Sequence, residues 1–552
     1  TTSGSGIRME PPHRATWSST IAVSPDGSLL YVANPDSGSV TAVGTTTRGA
    51  LWETPVGTNP TTVATSPSGG ELFVAVTGDD LVVVLDARTG TYLAEVDTHR
   101  QPHGVIVTPD GATLIVSAST DGLLDLYDTA SLSPLASIEV AADPRGLAIQ
   151  ADGSRLYVTH LLTGDLSVVD LADWTVTTVI RTGPENNASR HVALHPDGYR
   201  AFMPLIRSRT SNADLTFETT VMPRVAVVDL LHERVITREL LGLDAVDQPV
   251  NMPSAVAFSP GGSIAYVVNA GSDDISVVDL TKGFGVGHVE VGSNPRGIVV
   301  TDDGMTAYVH NALSDDISVV DLTTLEELYR IPVTRSPLPA DVLAGKLLFH
   351  GSSRTEMARD QWITCASCHL DGAIDRRTWQ FEDGPRNTLP ILGLTSTFPF
   401  HWSGDRVDLF DFQRTIMEIQ SGTGLTDEEN AHLAAFLGFE EVPPSPFPVA
   451  GPDARGEQVF TEAGCAGCHA GRSFTDGLRH DVGTADGPAE IKGPSIDTPS
   501  LLGLYATAPY LHDGSAATLH GVFASTMADD PHDLSGRYDE AAINDLVAYL
   551  RS

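Results

Sequence analysis

Seven copies of one four-residue turn punctuate the first 335 residues, and they constrain the fold more than any other feature. They are Ser24-Pro25-Asp26-Gly27, Ser66-Pro67-Ser68-Gly69, Thr108-Pro109-Asp110-Gly111, Gln150-Ala151-Asp152-Gly153, His195-Pro196-Asp197-Gly198, Ser259-Pro260-Gly261-Gly262 and Thr301-Asp302-Asp303-Gly304. Most successive copies lie 42 residues apart, which marks a repeat architecture. Each turn separates two apolar runs, such as Ile21-Ala22-Val23 and Leu29 to Asn34. A third run often ends in Asp, as at Asp279 and Asp321, and a fourth precedes the next Asn-Pro or Asp-Pro. Short β-branched runs with this punctuation are hairpin strands. Four strands repeated seven times predict an all-β seven-bladed propeller over residues 1–335. The fifth repeat carries an extra stretch, Ser208 to Pro223, which reads as a lid, a docking loop or a tolerated surface insertion.

The remaining residues obey a different rule. All four cysteines of the 552-residue chain fall in two motifs, Cys365-Ala366-Ser367-Cys368-His369 and Cys465-Ala466-Gly467-Cys468-His469. Both read C-x-x-C-H, the spacing at which two thiols bond the vinyl groups of one haem and the adjacent imidazole reaches iron. A dithiol redox pair needs no following His, and a shared zinc site leaves a His after both pairs unexplained. Two covalently bound haem c groups are therefore expected, with calcium a further candidate cofactor. Covalent haem attachment occurs beyond the cytoplasmic membrane. A periplasmic or secreted protein is expected, and the opening Thr1 to Gly6 fits one whose signal peptide has been removed. Thr426-Asp427-Glu428-Glu429 caps a helix running through Leu437, Pro443 to Pro448 is a stiff linker, and Glu540 to Leu550 forms a closing helix. The layout is a multidomain chain. A propeller at 1–335 is followed by mainly α cytochrome c domains at 336–447 and 448–552.

The motifs around the cysteines carry a resemblance. Gly345-Lys346-Leu347-Leu348-Phe349 precedes the first pair, and Gly384-Pro385-Arg386-Asn387 and Phe400-His401-Trp402-Ser403-Gly404-Asp405-Arg406 follow it. Phe474-Thr475-Asp476-Gly477, Asp497-Thr498-Pro499-Ser500-Leu501 and Ala508-Pro509-Tyr510-Leu511-His512-Asp513-Gly514 follow the second. From about Leu338 this series resembles the bacterial di-haem cytochrome c peroxidase family, which includes the MauG-type enzymes. The repeats resemble YVTN-type propellers, as in Tyr157-Val158-Thr159-His160. The peroxidase resemblance implies that His369 and His469 are proximal ligands, Trp402 lies between the haems, and Met527 is the sixth ligand of the second. MauG-type members use a Tyr there instead. The family's distal Glu falls near Glu418 or Gln413. A removable distal His before Gly384 has no counterpart between Ala373 and Asp383. Either the first iron is five-coordinate or His401 has taken that place.

Function follows from this pattern. The expected activity is peroxidase or MauG-like: hydrogen peroxide reacts at the first haem, and electrons pass through the second to or from a small redox protein or protein substrate. A non-catalytic electron carrier with a docking propeller is the alternative. A second is metal chemistry in the propeller channel, where His13, His103, His191, Arg145 and Arg296 enter first strands and His160 and His310 close second strands. A net charge of −38 argues against nucleic acid, and no apolar run approaches a membrane span.

Overall fold

The computed structural model describes residues 16–212, 215–217, 219–237, 241–243, 248–447, 454–485, 490, 493–524 and 530–552. The turn motif forms as read. In Ser24 to Gly27, Asp26 Oδ1 accepts from Ser24 Oγ at 2.6 Å and Ser28 N at 3.0 Å. Gly27 takes φ +73°, where a side chain would strain the backbone. The Asp that closes a third strand starts the next turn: Asp279 Oδ1 accepts from the Thr281 and Lys282 amides. These local bonds join strands into four-stranded antiparallel sheets spanning 21–55, 60–97, 102–139, 253–290 and 295–332. Blade four, at 144–180, gains Thr16–Trp17, and blade five, at 186–242, has six strands.

Apolar side chains of adjacent blades interlock, and among the described residues blades one and seven are each built from four consecutive strands. Ile21, Leu30 and Val32 of blade one pack on Tyr308, Ile317 and Val319 of blade seven. Each such buried aliphatic contributes about 1.5–3 kcal/mol. The short strand Thr16–Trp17 crosses to blade four, pairing Trp17 with Ala148. The chain thus lays its first described strand on another blade's innermost edge.

Two helical units follow. In the first, α1 (Ala340–His350) crosses α3 (Asp427–Phe439), with α2 (Phe412–Ile419) between them in sequence. A Cβ at Gly345 would collide with the His432 carbonyl, so only glycine permits this approach. In the second, α4 (Ala454–Ala463) crosses α6 (Glu540–Arg551), with the short α5 (Leu519–Val522) between. Gly456 meets the Asp545 carbonyl in the same way. Phe349 packs on Phe436 at 5.2 Å and Phe460 on Tyr549 at 5.6 Å, so one scaffold is built twice. Thr426 and Glu429 form the expected capping box. The linker is docked: Phe447 lies between the guanidinium groups of Arg100 and Arg551, each 4.0 Å from its ring.

The fifth-blade insertion is a docked element of the fold. Its ends extend the blade's strands to Arg200–Ser208 and Val221–Asp229. The loop between them carries Leu215 and Phe217 onto Trp362 and Trp379 of the first helical unit.

Candidate functional site

Each C-x-x-C-H motif forms a tight 3-10 turn, in which the His backbone N–H donates to the first Cys carbonyl. The first opens into a cavity of about 770 Å³, within the range of cofactor sites. Cys365, Cys368 and His369 lie on its wall beside Phe349, Trp379 and Phe400. Two thiols and one half-buried imidazole in a largely apolar cavity fit a thioether-bound haem. Burial lowers the His369 pKa to about 4, which keeps the imidazole neutral, as a metal ligand must be. Gln420, unremarked in the sequence, is buried on the same wall, with Nε2 3.5 Å from Cys365 Sγ.

His369 and His401 are the histidines lining this cavity. His401 Nδ1 stands 3.2 Å from Asp405, and Nε2 3.3 Å from Thr415 Oγ1. Thr415 Oγ1 also accepts from Arg406 Nε at 3.0 Å, and Arg406 reaches Asp405 and Glu418 at 2.9 and 2.5 Å. Both His401 nitrogens therefore belong to a polar network. Glu418 edges the cavity, half-exposed and paired with Arg406 and Arg414. Gln413 is not a lining residue: Phe412, Thr415, Ile416 and Ile419 occupy the cavity face of α2, and the Gln413 amide turns toward Gly424. Asp497 is a cavity carboxyl of another kind. It is buried, and burial and then Asp476 push its pKa up to about 7.

Trp402 stands at the boundary of the two helical units. Its indole N–H donates to the Asn387 carbonyl at 2.8 Å, and its carbonyl accepts from Asp497 N at 2.8 Å. Its ring meets His512 of the second unit edge-to-face at 6.3 Å. These are equivalent positions. Gly393, Pro399, Phe400, Trp402 and Gly404 are followed 110 residues later by Gly503, Pro509, Tyr510, His512 and Gly514. The bridges Phe400–Arg406 and Tyr510–Ala516 match, as do positive φ angles at His401 and Leu511. This internal repeat is legible in the sequence itself.

At the second motif, His469 Nδ1 lies 3.0 Å from the Phe474 carbonyl, leaving Nε2 to face a metal. His532 lies close by, its ring centroid 6.5 Å away. Met527 lies outside the described residues. Cys468, Asp476 and His480 converge enough to hold an ion, the one such group among the described residues. Its cysteine belongs to the haem motif.

The propeller channel therefore differs from the metal site considered above. His160 bonds Ser167 and the Ala142 carbonyl, and His310 bonds Thr20. Burial lowers the His191 and His310 pKa values to about 3. His103 is half-buried, and desolvation, then Arg145 and Arg190, disfavour a charge on it. His13 lies outside the described residues. The channel-end arginines instead receive Asp371, two residues after His369. Arg190 binds its carboxylate through two bonds of 2.8 and 2.9 Å, and Arg145 stands 3.8 Å away. Asp371 is half-exposed; desolvation among these side chains opposes its charge, but Arg190 and Arg145 outweigh it and hold the group well below the usual carboxylate range. The loop that carries Cys365, Cys368 and His369 is thus pinned to the propeller, aided by Asn251, whose amide donates to Trp362 O and Ser367 Oγ at 2.9 and 3.1 Å.

Residues 17–199 and 220–355 match the family described as lactonase, seven-bladed beta-propeller, and residues 454–552 match cytochrome c. The methylamine utilization protein MauG of Methylorubrum extorquens is 29% identical over 242 residues, covering 33% of this chain and 67% of that protein. Hydrazine synthase subunit gamma of Kuenenia stuttgartiensis is 29% identical over 259 residues, covering 34% of this chain and 71% of that protein. A solved Kuenenia stuttgartiensis hydrazine synthase chain superposes with a TM-score of 0.52 at 22% identity, covering 58% of this chain and 99% of that one. This last likeness speaks for the fold.

Proposed function

Because the chain belongs to the seven-bladed beta-propeller lactonase family and ends in a haem-binding cytochrome c region, we propose that it is a di-haem oxidoreductase acting outside the cytoplasm. Its oxidant is hydrogen peroxide, reduced in the cavity behind Cys365, Cys368 and His369. When bound there, haem iron supplies the redox chemistry: one peroxide, two protons and two electrons give two waters. The electrons come from a small redox protein or a protein substrate by way of the second haem.

One observation carries this reading. Of the two cavity histidines, His401 has both ring nitrogens engaged within the protein, which leaves His369 as the imidazole free for iron. Cys365, Cys368 and His369 would hold a haem in this cavity, and its iron would supply the redox chemistry toward peroxide, while Asp405 and Thr415 keep the His401 ring engaged. The chain's own groups do the rest. Trp379, Phe400 and Phe349 exclude water, Asp497 holds a proton at its buried carboxyl, and Arg406 fixes the His401 ring through Thr415. Trp402 and His512, packed edge-to-face between the units, give electrons a short path.

Two measurements test the assignment. The pyridine haemochrome of denatured protein is expected to report two haems per chain; one haem would refute the di-haem reading. Trp402→Phe is expected to leave both haem spectra intact and to slow oxidation of the second haem after peroxide is added. Unchanged single-turnover kinetics would remove Trp402 from the path.

A further inference from the structure

The described part of the second helical unit contains a histidine, His532, that the motifs did not announce. His469 and His532 have ring centroids 6.5 Å apart with planes at 51°. Two imidazoles on opposite faces of one metal, each bonded at about 2.0–2.1 Å, hold their centroids roughly 6.5 Å apart at any mutual rotation. The hydrogen bonds agree with that arrangement. His469 Nδ1 is engaged by the Phe474 carbonyl at 3.0 Å and His532 Nδ1 by Asp530 at 2.9 Å. Each ring therefore presents Nε2 for a metal while its other nitrogen is oriented by an oxygen, the usual arrangement around a ligating His. Tyr510 is engaged elsewhere, its hydroxyl donating to the Leu504 carbonyl at 2.8 Å.

We propose that His532 is the distal axial ligand of the haem carried by Cys465, Cys468 and His469, making that haem bis-histidine in place of the His–Met pair read from Met527. The inference needs only the haem of the cytochrome c region, so it stands or falls apart from peroxide chemistry at the first cavity. Its consequence is electronic. Methionine ligation raises a haem potential, whereas a second imidazole keeps it low. The second haem is then a low-potential, closed electron-transfer site.

The full-length ferric protein tests this before any substitution is made. A bis-imidazole low-spin electron paramagnetic resonance signal is expected, without the red charge-transfer band of methionine-ligated ferric haem. His532→Ala is expected to convert that low-spin signal to high-spin, added imidazole to restore it, and Met527→Leu to leave it unchanged. A methionine charge-transfer band in the wild type, or a His532→Ala protein that keeps the wild-type low-spin signal, would overturn the assignment. Because the wild-type spectrum alone decides between the ligands, a variant that failed to fold would not rescue the proposal.

Discussion

Replacing Asp497 with Asn is expected to lower peroxide consumption by about 10²–10⁴-fold, the usual effect of removing a general acid–base group, while both haem spectra persist. The reason is a contrast between two carboxyls at one cavity. Glu418 is half-exposed and tied to Arg406 and Arg414. Asp497 is buried, and its pKa is pushed up to about 7 first by burial and then by Asp476. A group that holds its proton up to neutral pH can deliver it to a leaving oxygen and regain it. The sign follows directly. The protonated, donating form dominates below about pH 7 and is lost as pH rises through that value, so turnover falls on the alkaline side. Asp497→Asn should abolish that alkaline limb along with most of the rate. Glu418→Gln should lower the rate less and keep the limb. A wild-type-like rate or profile in Asp497→Asn would return the proton-carrying role to Glu418.

The second large effect is on stability. Trp379 is almost fully buried where propeller and first helical unit share one apolar cluster, with Leu161, Ile206 and Met252 on one side and Trp362 and Leu370 on the other. Its indole N–H donates to the buried Asp375 carboxyl at 2.9 Å. Trp379→Ala is expected to cost about 3–5 kcal/mol, a large part of the roughly 5–15 kcal/mol that holds a folded protein together. Because the cluster spans the junction, the loss should appear first at the haem unit. The Soret transition should move to lower temperature, ahead of the far-ultraviolet transition of the blades. Trp379→Phe retains most of the packing and loses the hydrogen bond, so its shift should be smaller. Coincident, wild-type-like transitions in Trp379→Ala would mean that the two parts do not depend on this side chain.

How much was legible in the sequence follows from the range of the interactions. The blade turns were readable because Asp26 and its counterparts bond atoms two residues away, and the Thr426–Glu429 capping box because it closes over three. Haem attachment was readable because its chemistry is confined to five consecutive residues. Positions defined by distant partners were not. Arg145 and Arg296 looked like strand-end residues awaiting a metal or anion, and only the fold brings Asp371 to Arg145 and Arg190. The extra stretch in blade five gave no sign that Phe217 would pack on Trp362. Asp497 was noticed as part of a motif, but its raised pKa comes from burial that no local pattern reports. The Gln413 alternative failed on helix phase, since placing a carboxamide near a site by spacing does not say which face of α2 it occupies. The correspondence between Trp402 and His512 lay in the sequence, but its meaning depends on the two units meeting at those rings.

The central claim is that the first haem is open to peroxide while the second passes electrons. Hydrogen peroxide added to the fully oxidised and half-reduced protein, with the Soret band and residual peroxide followed together, tests it most directly. The account predicts that peroxide is consumed and that the Soret band shifts with the loss of a high-spin component, in at least one of the two states. No spectral change and no peroxide consumption in either state would contradict it, and would leave a di-haem electron carrier docked on a propeller.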